Sequence, residues 1–356
     1  MANLIGRLLE SRHPALLAGD RLFNRVFGRS GRQQLQPAYL GPAVPPPPFL
    51  LQGSGSSSFR LRIGQCVRAT RDAFFVVNFF AEGGMADIFL VKDPRGNEAL
   101  LKQLKYFPAQ DPQLRKNLQL RFAREALVMS RIKSPNVVKV LDIDPQSPPA
   151  FYIMEKIEGK SLMDAVPADK LLGQKLSLVI IIQVLDGLLA FERACQSESK
   201  AVQVAHRDIK PDNILLRLEG NRVKGAVLTD FGIVKVPESE QTTVHELMGS
   251  RGYLAPEVIV TGGTKNADQR ADIFSLGAVL YWLLTGHEPF INHDLVELAC
   301  DPGPLISRLY KQRPGSVSRE VWAAVFKALA VQPEQRFQSY AEMRQAFFEL
   351  HKTLNN

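Results

Sequence analysis

The order of the apolar segments constrains the fold of this chain more than any other feature. Short apolar runs of strand length come first, separated by turn residues, and they cover 74–77, 88–91, 99–101 and 151–154. After about residue 160, longer segments with helical periodicity dominate, and they cover 176–193, 271–285 and 319–352. Strands followed by helices predict an α+β fold in two lobes, with a β-rich N-lobe and a helical C-lobe.

The composition is that of a globular protein with a large core. The chain has 356 residues, of which 45% are hydrophobic and 22% are charged, and these values exclude a disordered or fibrous chain. Its three cysteines, Cys66, Cys195 and Cys300, lie far apart and lack the spacing of a zinc site. The cysteine pattern therefore predicts a reducing, cytoplasmic compartment and no disulfide framework.

The net charge of +8 is concentrated near the N-terminus. Residues 1–59 contain six arginines and two acidic residues, so their net charge of +4 is half of the total. The rest of the chain is mildly basic, and its sequence has no basic patch interleaved with aromatic residues. We therefore expect no binding of nucleic acid.

Shifts in composition divide the chain into three regions. Residues 1–36 form a basic amphipathic extension, residues 37–60 form a linker rich in Pro, Gly and Ser, and residues 61–352 form the globular domain. The change from strands to helices places the N-lobe at about 70–157 and the C-lobe at about 158–352. The sequence shows no secretory signal and no apolar stretch long enough to span a bilayer.

The basic extension is compatible with several functions. Its arginines and apolar faces are typical of peripheral binding to an anionic membrane surface. They also fit docking to a protein partner or to the globular domain itself. Because acidic residues are scarce, an organellar transit peptide is a further interpretation for a eukaryotic source. An extension without a dedicated role is the fourth, and the sequence leaves all of them open.

A glycine-rich turn separates two of the predicted strands. It reads Ala81-Glu82-Gly83-Gly84-Met85-Ala86-Asp87-Ile88. Its glycines allow backbone N–H groups to approach phosphates. Lys102 ends the next apolar strand, and Glu125 follows in a helical stretch as an acid that can pair with Lys102 above phosphate oxygens. Each feature alone also fits a flexible hairpin tip, a surface lysine or a solvated glutamate.

One loop concentrates the groups that phosphoryl transfer needs. It reads His206-Arg207-Asp208-Ile209-Lys210-Pro211-Asp212-Asn213. Asp208, Lys210 and Asn213 supply, in this order, an acceptor for a nucleophile's proton, a cation for transferred charge and a neutral metal ligand. Seventeen residues after Asn213 stands Asp230, in the sequence Asp-Phe-Gly, as a second oxygen ligand suitable for Mg²⁺. Together these residues predict a phosphoryl-transfer site.

With these motifs the chain resembles the eukaryotic-like Ser/Thr protein kinases from about residue 70 to residue 350. The glycine-rich turn is most similar to that of the bacterial branch. The resemblance implies a bilobal fold with ATP and Mg²⁺ in the cleft between the lobes. It implies an enzyme that transfers the γ-phosphoryl group of Mg-ATP to Ser or Thr hydroxyls of protein substrates. It further implies that the enzyme phosphorylates its own activation loop.

The resemblance also assigns roles to individual residues. Asp208 is the catalytic base, Lys210 is the catalytic-loop lysine of Ser/Thr kinases, and Asn213 and Asp230 hold Mg²⁺. Lys102 binds the α- and β-phosphates and is held by Glu125. The nucleotide-binding positions are Phe80, Ala81, Glu82, Gly83, Gly84, Met85, Ala86, Ile88 and Lys102, together with Glu155 and Ile157 of the hinge, which meets adenine through backbone groups.

Two further features follow from the same resemblance. Arg207 is the residue that receives a phosphate carried by the activation loop, for which the candidate acceptors are Thr242, Thr243 and Ser250. We favour Thr242 or Thr243, because both lie centrally in a polar stretch. Glu257 and Arg336 are similar to a buried pair with a structural role.

The chain departs from the family motif at two positions of the glycine-rich turn. Ala81 and Ala86 stand where the motif has its first and third glycines, and a positive φ at Ala81 would add strain and weaken nucleotide binding. This departure favours a pseudokinase scaffold as an alternative. A kinase for small molecules is a second alternative, against which Lys210, Glu257 and the long activation segment favour protein substrates.

Overall fold

The computed structural model of the protein describes ten stretches of chain between residues 61 and 354. They are 61–83, 86–105, 112–144, 150–166, 171–196, 205–220, 222–231, 251–260, 268–290 and 302–354. The predictions for the extension and the linker concern residues outside these stretches and stay predictions. The same holds for five candidate site residues, which are Gly84, Met85, Thr242, Thr243 and Ser250.

A six-stranded antiparallel sheet forms the N-lobe. Its strands in chain order are β1 (Cys66–Arg68), β2 (Ala73–Glu82), β3 (Ala86–Lys92), β4 (Glu98–Leu104), β5 (Val140–Asp144) and β6 (Phe151–Glu155). Their order in the sheet is β1-β2-β3-β4-β6-β5. The four predicted strand segments are confirmed as parts of β2, β3, β4 and β6. The sheet also contains β1, which begins before the predicted start of the N-lobe at residue 70, and β5.

The turn between β1 and β2 contacts β5, so the sheet curls towards its own opposite edge. Thr70 donates from its backbone N–H and its hydroxyl to the carbonyl of Ile143, at 3.2 and 2.6 Å. The buried carboxylate of Asp142 accepts the N–H groups of Arg71 and Asp72, at 2.8 and 3.0 Å. The curled sheet encloses a small apolar core whose members include Phe74, Phe89, Leu101 and Ile153.

The C-lobe is mainly helical. Its helices are α2 (Leu162–Ala165), α3 (Gln174–Gln196), α4 (Pro256–Val260), α5 (Gln269–Thr285), α6 (Pro302–Tyr310), α7 (Arg319–Ala328) and α8 (Tyr340–Thr353). Helix α1 (Pro112–Arg131) precedes them in the chain and packs on the N-lobe sheet. A second antiparallel sheet contains β7 (Gly159–Ser161), β8 (Ile214–Glu219) and β9 (Arg222–Leu228). The mixed α+β architecture is thereby confirmed.

Two buried helices form the centre of the C-lobe. The predicted helical segments 176–193 and 271–285 lie in α3 and α5, and most residues of both helices are buried. Gly187 of α3 allows a close approach, because a Cβ there would lie 2.7 Å from the carbonyl oxygen of Asn136. Arg344 of α8 donates to Asp186 of α3 at 2.5 Å. Within the described stretches, every helix is too short or too polar to cross a bilayer.

The helical periodicity over 319–352 does not correspond to one helix. Helix α7 ends at Ala328, a short 3-10 turn covers Pro333–Gln335, and α8 begins at Tyr340. Pro333 lacks the N–H of a continuing helix, and the hydroxyl of Ser339 caps the start of α8 by accepting the N–H of Glu342. These local signals override the periodicity and create a connection that holds Arg336.

Arg336 is fully buried and joins several elements of the C-lobe. Its guanidinium donates two 2.8 Å hydrogen bonds to the two carboxylate oxygens of Glu257 in α4. It also donates to the carbonyl oxygens of Arg270, Ala330 and Val331, at 2.8, 2.7 and 2.9 Å. The buried charge therefore has a complete set of acceptors, which is the condition under which such a pair is tolerated.

We predict that Arg336→Met lowers the free energy of unfolding by about 3–5 kcal/mol, because it leaves Glu257 and three carbonyl groups without their donor. Urea-induced unfolding followed by tryptophan fluorescence measures this change. Arg319→Met, at the exposed start of α7, is the matched control and should shift stability by less than about 0.5 kcal/mol. Equal effects of the two substitutions would contradict the structural role of Arg336.

Candidate functional site

Lys102 lies between two carboxylates at the junction of the lobes. The residue belongs to β4, and its Nζ is 3.2 Å from Oε1 of Glu125 in α1 and 3.1 Å from Oδ1 of Asp230, which follows β9. The Lys102 side chain is 14% exposed and that of Glu125 is 1% exposed. The structure thus brings together three residues that are far apart in sequence and that the motifs had each singled out.

Tyr152 is a member of this cluster that the sequence analysis missed. It lies directly across from Lys102 in the pairing of β4 with β6, and its hydroxyl donates to Oε1 of Glu125 at 3.0 Å. Its ring packs against Phe122 of α1, with 5.2 Å between ring centroids. No sequence motif marks Tyr152, but pairing the predicted strands 99–101 and 151–154 in register would have placed it beside Lys102.

The electrostatics of the cluster favour a charged lysine. Burial lowers the pKa of Lys102, but the negative charges of Glu125 and Asp230 outweigh burial and raise that pKa well above its usual value. Burial raises the pKa of Glu125 above its usual value, although Lys102 and the hydrogen bond from the Tyr152 hydroxyl act in the opposite direction. Lys102 is therefore present as an ammonium group beside the partly exposed carboxylate of Asp230.

Asp272, in the first turn of α5, binds the backbone at the start of the loop 206–213. Its carboxylate accepts the backbone N–H groups of His206 and Arg207, at 2.5 and 2.8 Å, and the hydroxyl of Tyr340 at 2.5 Å. Burial raises the pKa of Asp272, while His206 and these hydrogen bonds lower it. Arg207 has a φ of +69°, a strained conformation for a residue with a Cβ, and the bonds to Asp272 hold it there.

The loop places Asp208, Asn213 and Lys210 close together. The amide nitrogen of Asn213 donates to the main-chain oxygen of Asp208 at 2.8 Å and to its Oδ2 at 2.9 Å. Nζ of Lys210 lies 3.9 Å from the same Oδ2. Because the amide nitrogen of Asn213 is directed to Asp208, its amide oxygen remains as a ligand for a hard cation.

His206 connects this loop to the segment that carries Asp230. With its proton on Nε2, the ring donates to the carbonyl of Thr229 at 3.2 Å, and Nδ1 accepts the N–H of Asp208 at 3.3 Å. The buried ring of Phe231 lies 4.4 Å from the ring of His206, measured between centroids. Asp230 itself has a φ of +53°, which turns the chain between two buried neighbours. The buried His206 therefore contacts Asp208 and both chain neighbours of Asp230.

The hairpin of β2 and β3 carries the candidate nucleotide-binding positions. Phe80, Ala81 and Glu82 end β2, and Ile88 of β3 lies opposite both Ala81 and Lys102. Among the described residues other than glycine, left-handed φ angles occur at Arg207 and Asp230. Ala81 and Ala86 therefore avoid the strain that their replacement of glycine had suggested. The N–H of Gly83 donates to the carbonyl of Ala86 at 2.9 Å.

The hinge candidate Glu155 ends β6 and binds to the C-lobe. Its two carboxylate oxygens accept one hydrogen bond each from the guanidinium of Arg217 in β8, both at 3.0 Å. Oε1 also accepts the N–H of Lys139 at 2.9 Å. The other hinge candidate, Ile157, is half-buried and packs against the main core. The side chain of Glu155 thus fixes the segment whose backbone is predicted to face adenine.

The family model described as the protein kinase domain matches residues 78–348, about three quarters of the chain. The chain belongs to the protein kinase family. This kinase chain is 33% identical to Serine/threonine-protein kinase PknB of Mycolicibacterium smegmatis over 285 residues, which are 76% of this chain and 41% of the relative. The family membership confirms the resemblance to the bacterial-type Ser/Thr kinases that was read from the motifs.

Two further relatives give the same result. PknB of Mycobacterium leprae is 32% identical over 294 residues, with 79% of this kinase chain and 43% of the relative covered. Serine/threonine-protein kinase PrkC of Bacillus subtilis is 33% identical over 270 residues, with 75% and 39% covered. The chain therefore spans about two fifths of the length of the curated relatives it matches.

We predict that Tyr152→Phe lowers the free energy of unfolding by about 1–2 kcal/mol, because Glu125 loses a buried hydrogen bond while the packing of the ring is retained. Thermal and urea denaturation monitored by circular dichroism measure the change. Tyr310→Phe, at a half-exposed ring on α6, should change stability by less than about 0.5 kcal/mol. An unchanged midpoint for Tyr152→Phe would show that its hydroxyl does not stabilise the cluster.

Proposed function

We propose that the protein is an ATP- and Mg²⁺-dependent protein Ser/Thr kinase. The observation that carries the proposal is the position of Lys102 between Glu125 and Asp230, at 3.2 and 3.1 Å, where the two lobes meet. Family membership and the names of its relatives support the same activity. Protein substrates with Ser or Thr hydroxyls are the partners that this activity requires.

Each residue of the cluster would serve a separate part of the transfer. Lys102 neutralises phosphate oxygens, and Glu125 keeps its ammonium in place. Asp208 orients the substrate hydroxyl and accepts its proton, while Asn213 fixes the Asp208 carboxylate through their 2.9 Å hydrogen bond. Lys210, next to Asp208, stabilises the charge that develops on the transferred group.

Asn213 and Asp230 are the residues that would hold Mg²⁺. Asn213 offers its amide oxygen, and Asp230 offers a carboxylate whose Oδ1 bonds to Lys102 and whose side chain is 38% exposed. A neutral and a charged oxygen donor suit a hard cation. When bound, Mg²⁺ neutralises charge on the phosphates, and the residues of the chain provide orientation and proton acceptance.

Two alternatives receive less support. Ala81 and Ala86 favour a scaffold without catalysis only if they strain the glycine-rich turn, and neither residue has the left-handed φ that would cause such strain. A kinase for small molecules would not need the ion pair between Glu257 and the buried Arg336, which secures the segment after the activation loop. A cytoplasmic location and docking through residues 1–36 remain parts of the proposal that rest on the sequence.

We predict that Asp208→Asn reduces phosphoryl transfer by about 100-fold or more while Mg-ATP still binds, because the variant loses the proton acceptor and keeps the phosphate-binding residues. Transfer of label from [γ-³²P]ATP to a generic basic protein measures activity, and calorimetry measures nucleotide binding. Lys92→Met, on the exposed end of β3, is the control and should retain full activity. Label on Ser or Thr at the wild-type rate in Asp208→Asn would contradict the proposal.

Phosphorylation of the activation loop is the regulatory part of the proposal. Nε of Arg207 is buried and has no hydrogen-bond partner among the described residues, so this guanidinium is suited to receive a phosphate. We predict that wild-type protein incubated with Mg-ATP carries phosphate on Thr242, Thr243 or Ser250 and that Asp208→Asn does not. Mass spectrometry of the tryptic peptides tests this, and an unmodified loop in active wild-type protein would contradict it.

A further inference from the structure

A short connection, residues 155–158, joins the two lobes and is called the hinge below. Glu155 ends β6 of the N-lobe sheet, and Gly159 begins β7 of the second sheet. The hinge backbone is the part of the site that is predicted to meet adenine. Hydrogen bonds weaken steeply when donor and acceptor move apart or turn away from each other. Binding of adenine therefore depends on the contacts that fix the hinge relative to each lobe.

The N-lobe holds the start of the hinge through two neighbouring segments. The N–H of Glu155 donates to the carbonyl of Lys139, and the carboxylate of Glu155 accepts the N–H of Lys139, both at 2.9 Å. Nζ of Lys156 lies 2.7 Å from Oε2 of Glu98 in β4. These contacts attach the hinge to the N-lobe sheet, but they do not set its distance from the C-lobe.

Strand β8 holds the hinge from the C-lobe at both ends. At the far end, the carbonyl of Glu158 accepts the N–H of Leu218 at 2.6 Å, and Gly159 pairs with Arg217 in the register of β7 with β8. At the near end, the guanidinium of Arg217 donates one hydrogen bond to each carboxylate oxygen of Glu155, both at 3.0 Å. Arg217 thus contacts two points of the chain that are four residues apart.

The ion pair of Arg217 with Glu155 has the geometry of a positioning contact. Paired hydrogen bonds from a planar guanidinium fix the orientation of a carboxylate as well as its distance. The two side chains are 33% and 22% exposed, so water screens their interaction only in part. Among the described residues, Arg217 is the member of the C-lobe that binds the carboxylate of Glu155. Its loss would release the start of the hinge from the C-lobe.

We propose that Arg217 is a positioning residue for adenine, which fixes the start of the hinge against the C-lobe through Glu155. The inference rests on the proposed function, because it concerns the binding of Mg-ATP. A hinge that is held in place before the nucleotide arrives loses less conformational entropy on binding, so the affinity is higher. Arg217 acts on the adenine end of the nucleotide, whereas Lys102 belongs to the separate cluster that is proposed to bind the phosphates.

The test compares the dissociation constants of Mg-ATP and of adenosine, both measured by calorimetry on the full chain. Adenosine carries the base without the phosphates, so it reports on the hinge independently of Lys102. Arg217→Met retains most of the apolar stem and removes the hydrogen-bond donors, and it should raise both constants by the same factor of about five. Arg217→Lys should raise them less, because it keeps the charge and loses the paired hydrogen bonds.

Glu155→Gln tests the ion pair from its other side. The amide oxygen of the glutamine can still accept the N–H of Lys139, but the charge that binds Arg217 is lost. In this background, Arg217→Met should change the two constants by less than about twofold, because the ion pair is already absent. A full fivefold change in this background would overturn the proposal.

Lys224→Met is the matched control. Lys224 lies in β9 of the same sheet and pairs with Glu219 at the end of β8. The substitution removes one positive charge from this sheet without touching the hinge. Both dissociation constants should therefore stay at their wild-type values in Lys224→Met.

Three other results would also overturn the proposal. Unchanged constants in Arg217→Met would show that the ion pair does not position the hinge. A rise for Mg-ATP without a rise for adenosine would show that Arg217 acts through its charge on the phosphates. Equal effects of Lys224→Met and Arg217→Met would assign the change to net charge. If wild-type protein binds neither ligand, the proposed function itself fails, and that result is distinct because it precedes any substitution.

Discussion

The ammonium group of Lys102 connects three separate parts of the molecule. It extends from β4 of the N-lobe, pairs with Glu125 of α1 and reaches Asp230 after β9 of the C-lobe. A buried lysine is tolerated only when opposite charges compensate its desolvation. Here the carboxylates of Glu125 and Asp230 supply that compensation. The relative position of strand, helix and C-lobe is therefore fixed by the same group that is proposed to meet phosphate.

A second buried charge organises the C-lobe half of the site. Asp272 holds the backbone of His206 and Arg207, and His206 in turn bonds to Asp208 and Thr229. The strained φ angles of Arg207 and Asp230 occur where this network constrains the chain. Such strain persists only if the surroundings over-determine the conformation, which the buried bonds do. The loop is thus shaped before any ligand arrives, as electrostatic catalysis requires.

Much of the architecture could be predicted, because strand and helix periodicities and the polar motifs are local properties of a sequence. The strands around residues 74–77 and 99–101 and the residues Lys102, Asp208 and Asp230 were accessible in this way. No motif marks Tyr152, since its role arises from Lys102 and Glu125 across strands and helix rather than from neighbours along the chain. The break between α7 and α8 was also missed, because Pro333 and Ser339 act locally within a longer periodic pattern. The curling of the sheet through Asp142 depends on a contact about 70 residues away in sequence.

Asn213 and Asp230 are proposed to hold a divalent cation beside Lys102 when nucleotide is bound. Electron paramagnetic resonance of Mn²⁺, titrated into the protein with a non-hydrolysable ATP analogue, tests it most directly. We expect a bound Mn²⁺ signal that requires the analogue, and we expect the affinity for Mn²⁺ to fall about tenfold or more in Asp230→Asn. Mn²⁺ binding of equal strength in wild type and Asp230→Asn would show that Asp230 is not a ligand of the cation.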